Sequence, residues 1–153
     1  MNKPLKLRGN DSEDVAIIAS CLQESVGKIG NMIYQPKRRS FYCLLNRFAW
    51  ERRNETDEGA VENVGCLLYF HCVLGAHRRK LDKLERDDSL CLLTLYFHES
   101  VPPGGMVRML FANEGEICLD VEALDVYLLD VGRPWSSIVK PDDALLNMEA
   151  WQS

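Results

Sequence analysis

Val64–His77 (VGCLLYFHCVLGAH) and Leu90–His98 (LCLLTLYFH) decide how the rest of the chain is read. Both runs are apolar at successive positions rather than at alternate ones. That is the pattern of strands covered on both faces, so they are expected to be central strands of a sheet. The uncharged stretch Val64–Ala76 is only 13 residues long and contains His71. It is too short to cross a bilayer core of ~30 Å as a helix. Their connection, 78–89, is almost entirely charged, with Leu81 and Leu84 spaced for a short helical turn.

Outward toward the C-terminus, Val101-Pro102-Pro103-Gly104-Gly105 breaks the chain. Met106–Ala112 reads as a strand, Asn113-Glu114-Gly115 as a tight turn and Glu116–Val121 as the return strand. Leu124, Leu128 and Val131 share one helical face, so the spacing predicts a helix over 122–131, stopped by Gly132 and Pro134. Residues 133–153 are expected to be a C-terminal arm or a loose tail, with Trp135 folding back on the sheet as an anchor or offering itself to a partner.

Outward toward the N-terminus, Phe41–Trp50 and Lys28–Gln35 read as a hairpin whose tip, Pro36-Lys37-Arg38-Arg39-Ser40, is strongly basic. Residues 51–63 read as a polar surface loop. A helix is predicted over about 11–25, from N-cap chemistry at Asn10, Asp11 and Ser12 and apolar spacing at Val15, Ile18, Leu22 and Val26. Residues 5–8 form a short first strand. The sum is a single α+β domain over 1–153. Its antiparallel sheet has six or seven strands, curved or barrel-like, with an N-terminal and a C-terminal helix. The competing architecture is a two-layer sheet with both helices on one face.

The 153 residues carry 18 basic and 23 acidic side chains, a net charge of −5, and 46% are hydrophobic. This excludes a disordered tail and argues against a dedicated nucleic-acid binder. No apolar core of a signal peptide follows the first lysines, so a cytoplasmic location is expected. The six cysteines fall mostly in apolar runs without a CxxC pair, which reads as reduced core thiols and leaves no zinc-ligand spacing.

Ile17–Val26 (IIASCLQESV), Lys28–Phe41 (KIGNMIYQPKRRSF), Leu44–Glu51 (LLNRFAWE) and Leu119–Trp135 (LDVEALDVYLLDVGRPW) resemble a family of small, chiefly alphaproteobacterial proteins of unknown function. The resemblance implies a cytoplasmic bacterial protein and brings no activity, cofactor or catalytic residue with it. The strand–turn–strand–helix pattern over 106–131 also resembles the end of a pleckstrin-homology-like barrel, a likeness from which the early helix departs.

Nothing in the sequence forms a catalytic or metal-ligand motif: GxSxG, GxGxxG and GxxxxGK[ST] are all missing. Charge is strongly partitioned. Residues 28–53 hold seven bases against Glu51, a net of +6, and residues 114–149 hold nine acids against Arg133 and Lys140, a net of −7. Three readings follow. The first is a non-enzymatic interaction or adaptor module that binds a protein partner or another copy of itself. The second is a small-anion or nucleotide binder that takes a phosphate-type anion at Lys37, Arg38 and Arg39 together with Arg47. Arg47 shares strand parity with Phe41, Cys43 and Leu45, an apolar face, where an ion pair with a carboxylate of the first helix is the structural expectation. The third is an enzyme built on His71 or a cysteine such as Cys43 or Cys91.

Overall fold

The computed structural model describes residues 4–49 and 63–132. Among these residues there are one α-helix, α1 (Ser12–Leu22), and ten strands: β1 (Lys6–Gly9), β2 (Ser25–Lys28), β3 (Met32–Gln35), β4 (Ser40–Phe48), β5 (Asn63–Phe70), β6 (Val73–Arg79), β7 (Ser89–Glu99), β8 (Gly105–Phe111), β9 (Glu116–Val121) and β10 (Val126–Asp130). They form one antiparallel sheet in the order β1-β10-β5-β4-β2-β7-β8-β9-β6, with β3 paired to β4 off that path. The ladder is open, running from β1 at one end to β6 at the other. A single apolar core takes residues from both ends, Phe70 and Leu128 at one and Ala76 and Leu119 at the other, so the sheet curves around one interior.

The first predicted central run is two strands, β5 inside the sheet and β6 at its end; the second is β7, flanked by β2 and β8, with Leu93 and Thr94 exposed rather than covered. The chain turns at His71 and Cys72, where Cys72 takes φ 59°. Beyond this corner β5 lies between β10 and β4, and β6 lies at the far end beside β9. A second corner, 122–125, carries β9 into β10. The two corners are tied together: the His71 N–H donates to the Asp125 carbonyl and the Glu122 N–H to the Cys72 carbonyl, each at 2.9 Å.

Residues 126–130 are a strand, not part of a helix over 122–131. Val126 and Leu128 are fully buried while Tyr127 and Leu129 are half-buried, a period of two. The segment pairs with β1 on one side and β5 on the other. Two flanking strands override a helical spacing that rested on three apolar residues. The count of ten strands, against six or seven, follows from three changes: the expected strand over 28–35 is split by a turn of 3₁₀ helix at Ile29–Asn31, the one over 64–77 is split into β5 and β6, and β10 replaces the expected helix. The strand–turn–strand part of the barrel likeness is present as β8 and β9, but its closing helix is not.

The first helix follows its sequence signals. The Asp11 Oδ1 accepts from the Asp14 N–H at 2.8 Å, and Val15, Ile18, Ala19 and Leu22 are buried. It ends at Leu22 rather than near residue 25, because Glu24 takes φ 63° and turns the chain into β2. The expected loop over 51–63 lies outside the described residues except for Asn63, which opens β5; the expected arm over 133–153 lies outside them entirely.

Candidate functional site

The predicted basic hairpin is formed by β3 and β4, in register from Met32 with Cys43 to Gln35 with Ser40. Its tip is a turn of 3₁₀ helix over Pro36–Arg38, closed by Arg39 in the left-handed region at φ 50°. The Arg39 carbonyl accepts from the Val73 N–H at 2.8 Å, which docks the tip against the start of β6. Arg39 also lies 3.6 Å from Glu122. Lys37 and Arg38 are exposed and have no carboxylate within ion-pair distance among the described residues.

Arg47 does not join that tip. Eight residues of extended chain separate it from Arg39, about 25 Å at the rise of a strand. Phe41, Cys43, Leu45 and Arg47 form the inner row of β4, all fully buried. The arginine reaches across β5 to β10, where Nε and Nη2 each donate to an Asp130 oxygen at 2.8 Å. The expected structural ion pair is therefore present, with a carboxylate of the last described strand in place of one from the first helix. The partner was hidden from sequence reasoning because 126–130 read as helix. Asp130 also accepts from the Leu5 N–H at 2.9 Å, so the pair ties β4 and β10 to the residue that leads into β1. Trp135 lies outside the described residues.

The six cysteines are free thiols. Burial pushes the Cys43 thiol well above its ordinary value. It raises Cys66 to about 12, against the opposing pull of Arg47. Cys91 and Cys118 are raised as well, first by desolvation. These four are poorer nucleophiles than ordinary thiols. His71 packs edge-on against Tyr69 and Tyr127, with ring centroids 4.5 and 5.4 Å away. It is His77 that lies opposite a thiol, in register with Cys118, and its Nε2 is 3.2 Å from Asp120. Alongside, Arg108 Nη2 donates to both oxygens of Glu116 at 2.8 Å, and Cys118 Sγ donates to the same carboxylate at 3.2 Å. Cross-strand side chains on the β6–β9–β8 outer face thus bond to one another. Among the described residues the buried Arg108 Nε is left without a partner, and no group of three ligands is placed to hold a metal.

One feature of the backbone was not legible in the sequence. The Ser100 N–H donates to the Gly104 carbonyl and the Phe111 N–H to the Gly115 carbonyl. With the β7–β8 and β8–β9 registers, these bonds fix which backbone groups face which neighbour. Thr94, Tyr96 and His98 bond toward β8. Leu95, Phe97 and Glu99 point their N–H and C=O groups the other way. On that side β2 stops at Leu92, after which a bulge between Leu92 and Thr94 turns the strand. Among the described residues none pairs with the edge over 93–99. Beside it runs α1, anchored at its end by the Glu24 N–H on the Leu92 carbonyl at 2.9 Å. Between helix and strand lies a groove of about 500 Å³, walled by Ser12, Ala16 and Ser20 on one side and by residues 93–97 on the other.

No curated protein and no solved structure matches this chain. A family model matches residues 5–143, so the chain belongs to the family described as a protein of unknown function (DUF2948).

Proposed function

We propose that this chain is a non-enzymatic protein-interaction module of the bacterial cytoplasm. The observation that supports it is the edge of β7 beside the α1 groove: a row of backbone donors and acceptors that no described strand pairs with, and that a second polypeptide would bond to by lying alongside. The raised thiols of Cys43, Cys66, Cys91 and Cys118 weigh against a thiolate enzyme. The test is crosslinking capture from the source cell, comparing the natural chain with Ala16→Trp, which fills the groove from an exposed helix position, and with Arg38→Glu/Arg39→Glu. A specific partner that is lost on Ala16→Trp is the expected result. No specific partner under several growth conditions would overturn the reading.

A second reading is favoured by Lys37 and Arg38, two exposed cations on a short turn with no acidic partner among the described residues. They suit a phosphate-type anion without any part played by Arg47. Phosphates or nucleotides then raise Tm, less so at high salt, and Lys37→Glu/Arg38→Glu abolishes the rise. A flat response across the panel removes this reading.

A further inference from the structure

We propose that the groove between α1 and β7 takes an extended polypeptide segment bearing lysine or arginine, which adds to β7 as a further strand. This rests on the interaction-module reading and names the chemistry of its partner.

Three observations converge. The first is the spacing of the free groups. Leu95, Phe97 and Glu99 offer N–H and C=O at every second residue, which is what an added strand bonds to. The second is what the groove does not need filled. Leu95 and Phe97 belong to the core and are 2% and 9% exposed as whole residues, while the consecutive residues 93–97 all line the groove, so its wall on this side is the strand's backbone edge. The open stretch 93–99 is long enough for a segment of ordinary strand length.

Charge is the third observation, and it selects the partner. Residues 10–27 and 87–105 hold both walls of the groove. Together they carry seven acids and no lysine or arginine. Asp14 and Asp88 are occupied with local backbone N–H groups, and Asp87 lies 4.0 Å from Lys28. Glu13, Glu24 and Glu99 are exposed, with no basic partner among the described residues. Glu13 follows Ser12 and Glu99 lies two residues beyond Phe97, while Glu24 stands at the other end, after Gln23. An approaching strand therefore meets negative potential at both ends of the groove. Cations on that strand are drawn in and acids are repelled. A second copy offering the same edge would bring the same acids with it, so the occupant is a different, basic segment.

The experiment uses the full chain and labelled eight-residue peptides, read by fluorescence anisotropy and by amide shifts in ¹⁵N spectra. One peptide alternates valine and lysine, one valine and glutamate, and one is the lysine peptide with alternate backbone nitrogens methylated. The expected result is binding of the lysine peptide, with the largest amide shifts at Leu95, Phe97 and Glu99. Affinity should fall about tenfold or more, equivalent to roughly 1.4 kcal/mol, on methylation, on Glu13→Lys/Glu99→Lys and on Ala16→Trp. It should also fall as salt rises. Equal binding of the glutamate peptide, undiminished binding of the methylated one, self-association through the edge, or no binding of any peptide would each overturn the proposal. A cellular partner still captured by the natural chain and lost on Ala16→Trp would leave the interaction reading standing, so the two fail separately.

Discussion

Arg47 and Asp130 meet across an intervening strand. The arginine leaves β4, passes over β5 and closes two 2.8 Å hydrogen bonds on a carboxylate of β10, with both side chains all but inaccessible to water. Burying two charges is costly, and the fork geometry offsets that cost together with further hydrogen bonds, among them Leu5 N–H to Asp130 and Arg47 Nη1 to the Phe48 carbonyl.

Arg47→Met should therefore destabilise the fold by about 3–5 kcal/mol, because it removes the guanidinium that is paired with a buried carboxylate. Adding Asp130→Asn should recover a large part of the loss, since the amide oxygen still accepts from Leu5 and no charge is left behind. Urea unfolding of the natural chain, both single variants and the double variant measures this. Additive single effects would show that the pair is not coupled.

Glu116 gives the protein a specific acid sensitivity. The hydrogen bonds from Arg108 hold its carboxyl below the usual range, against the opposing effect of its burial. A lowered folded-state value contributes stability above the ordinary carboxyl range. That stability is lost as pH falls through Glu116's own lower value. In Glu116→Gln, thermal melts over the acidic range should start from a lower Tm at neutral pH and fall less steeply on acidification. A variant whose acid limb matches the natural one would sink the assignment.

Cys43 and Cys66 should resist alkylation in the folded protein at neutral pH and label promptly once denaturant is added. Peptide mass mapping after a short exposure to iodoacetamide reads this site by site. Fast native labelling at Cys66 would contradict its burial and revive an enzyme built on that thiol.

Gly105 stands where β8 leaves its turn, and a methyl group there would sit 2.2 Å from the His98 carbonyl oxygen and 2.7 Å from Phe97. Gly105→Ala should thus cost about 1–3 kcal/mol, as overpacking does. Lys37→Glu/Arg38→Glu should stay within about 0.5 kcal/mol, because neither side chain is packed or paired. Melting curves of the two variants side by side make the contrast.

Much of the sheet was readable because local signals agreed with tertiary context. Asp11 capped α1 as its side chain predicts, and Asn113-Glu114-Gly115 joined β8 to β9. The failures share a cause. Leu124 and Leu128 fit a helix face, but Leu128 fits a strand equally well, and only the pairing with β1 and β5 decides between them. The break at Cys72 carries no glycine or proline to announce it. At the candidate sites, the burial of Arg47 followed from strand parity and the exposed basic turn from composition. The groove was invisible, because it is made by where β2 stops, and no side chain marks that point.

The pairing of β1 with β10 sets a timetable. Lys6 lies beside Leu129 and Gly9 beside Val126, so the first described strand has the last described strand as its neighbour, and β1 leaves the ribosome long before β10. β5 likewise waits for β10 on one flank while β4 covers the other. During synthesis the chain must hold an unfinished sheet until residue 130 has emerged, and contacts this remote in sequence form slowly. The cell's exposure to that half-built edge is then set by translation speed as much as by the stability of the finished fold.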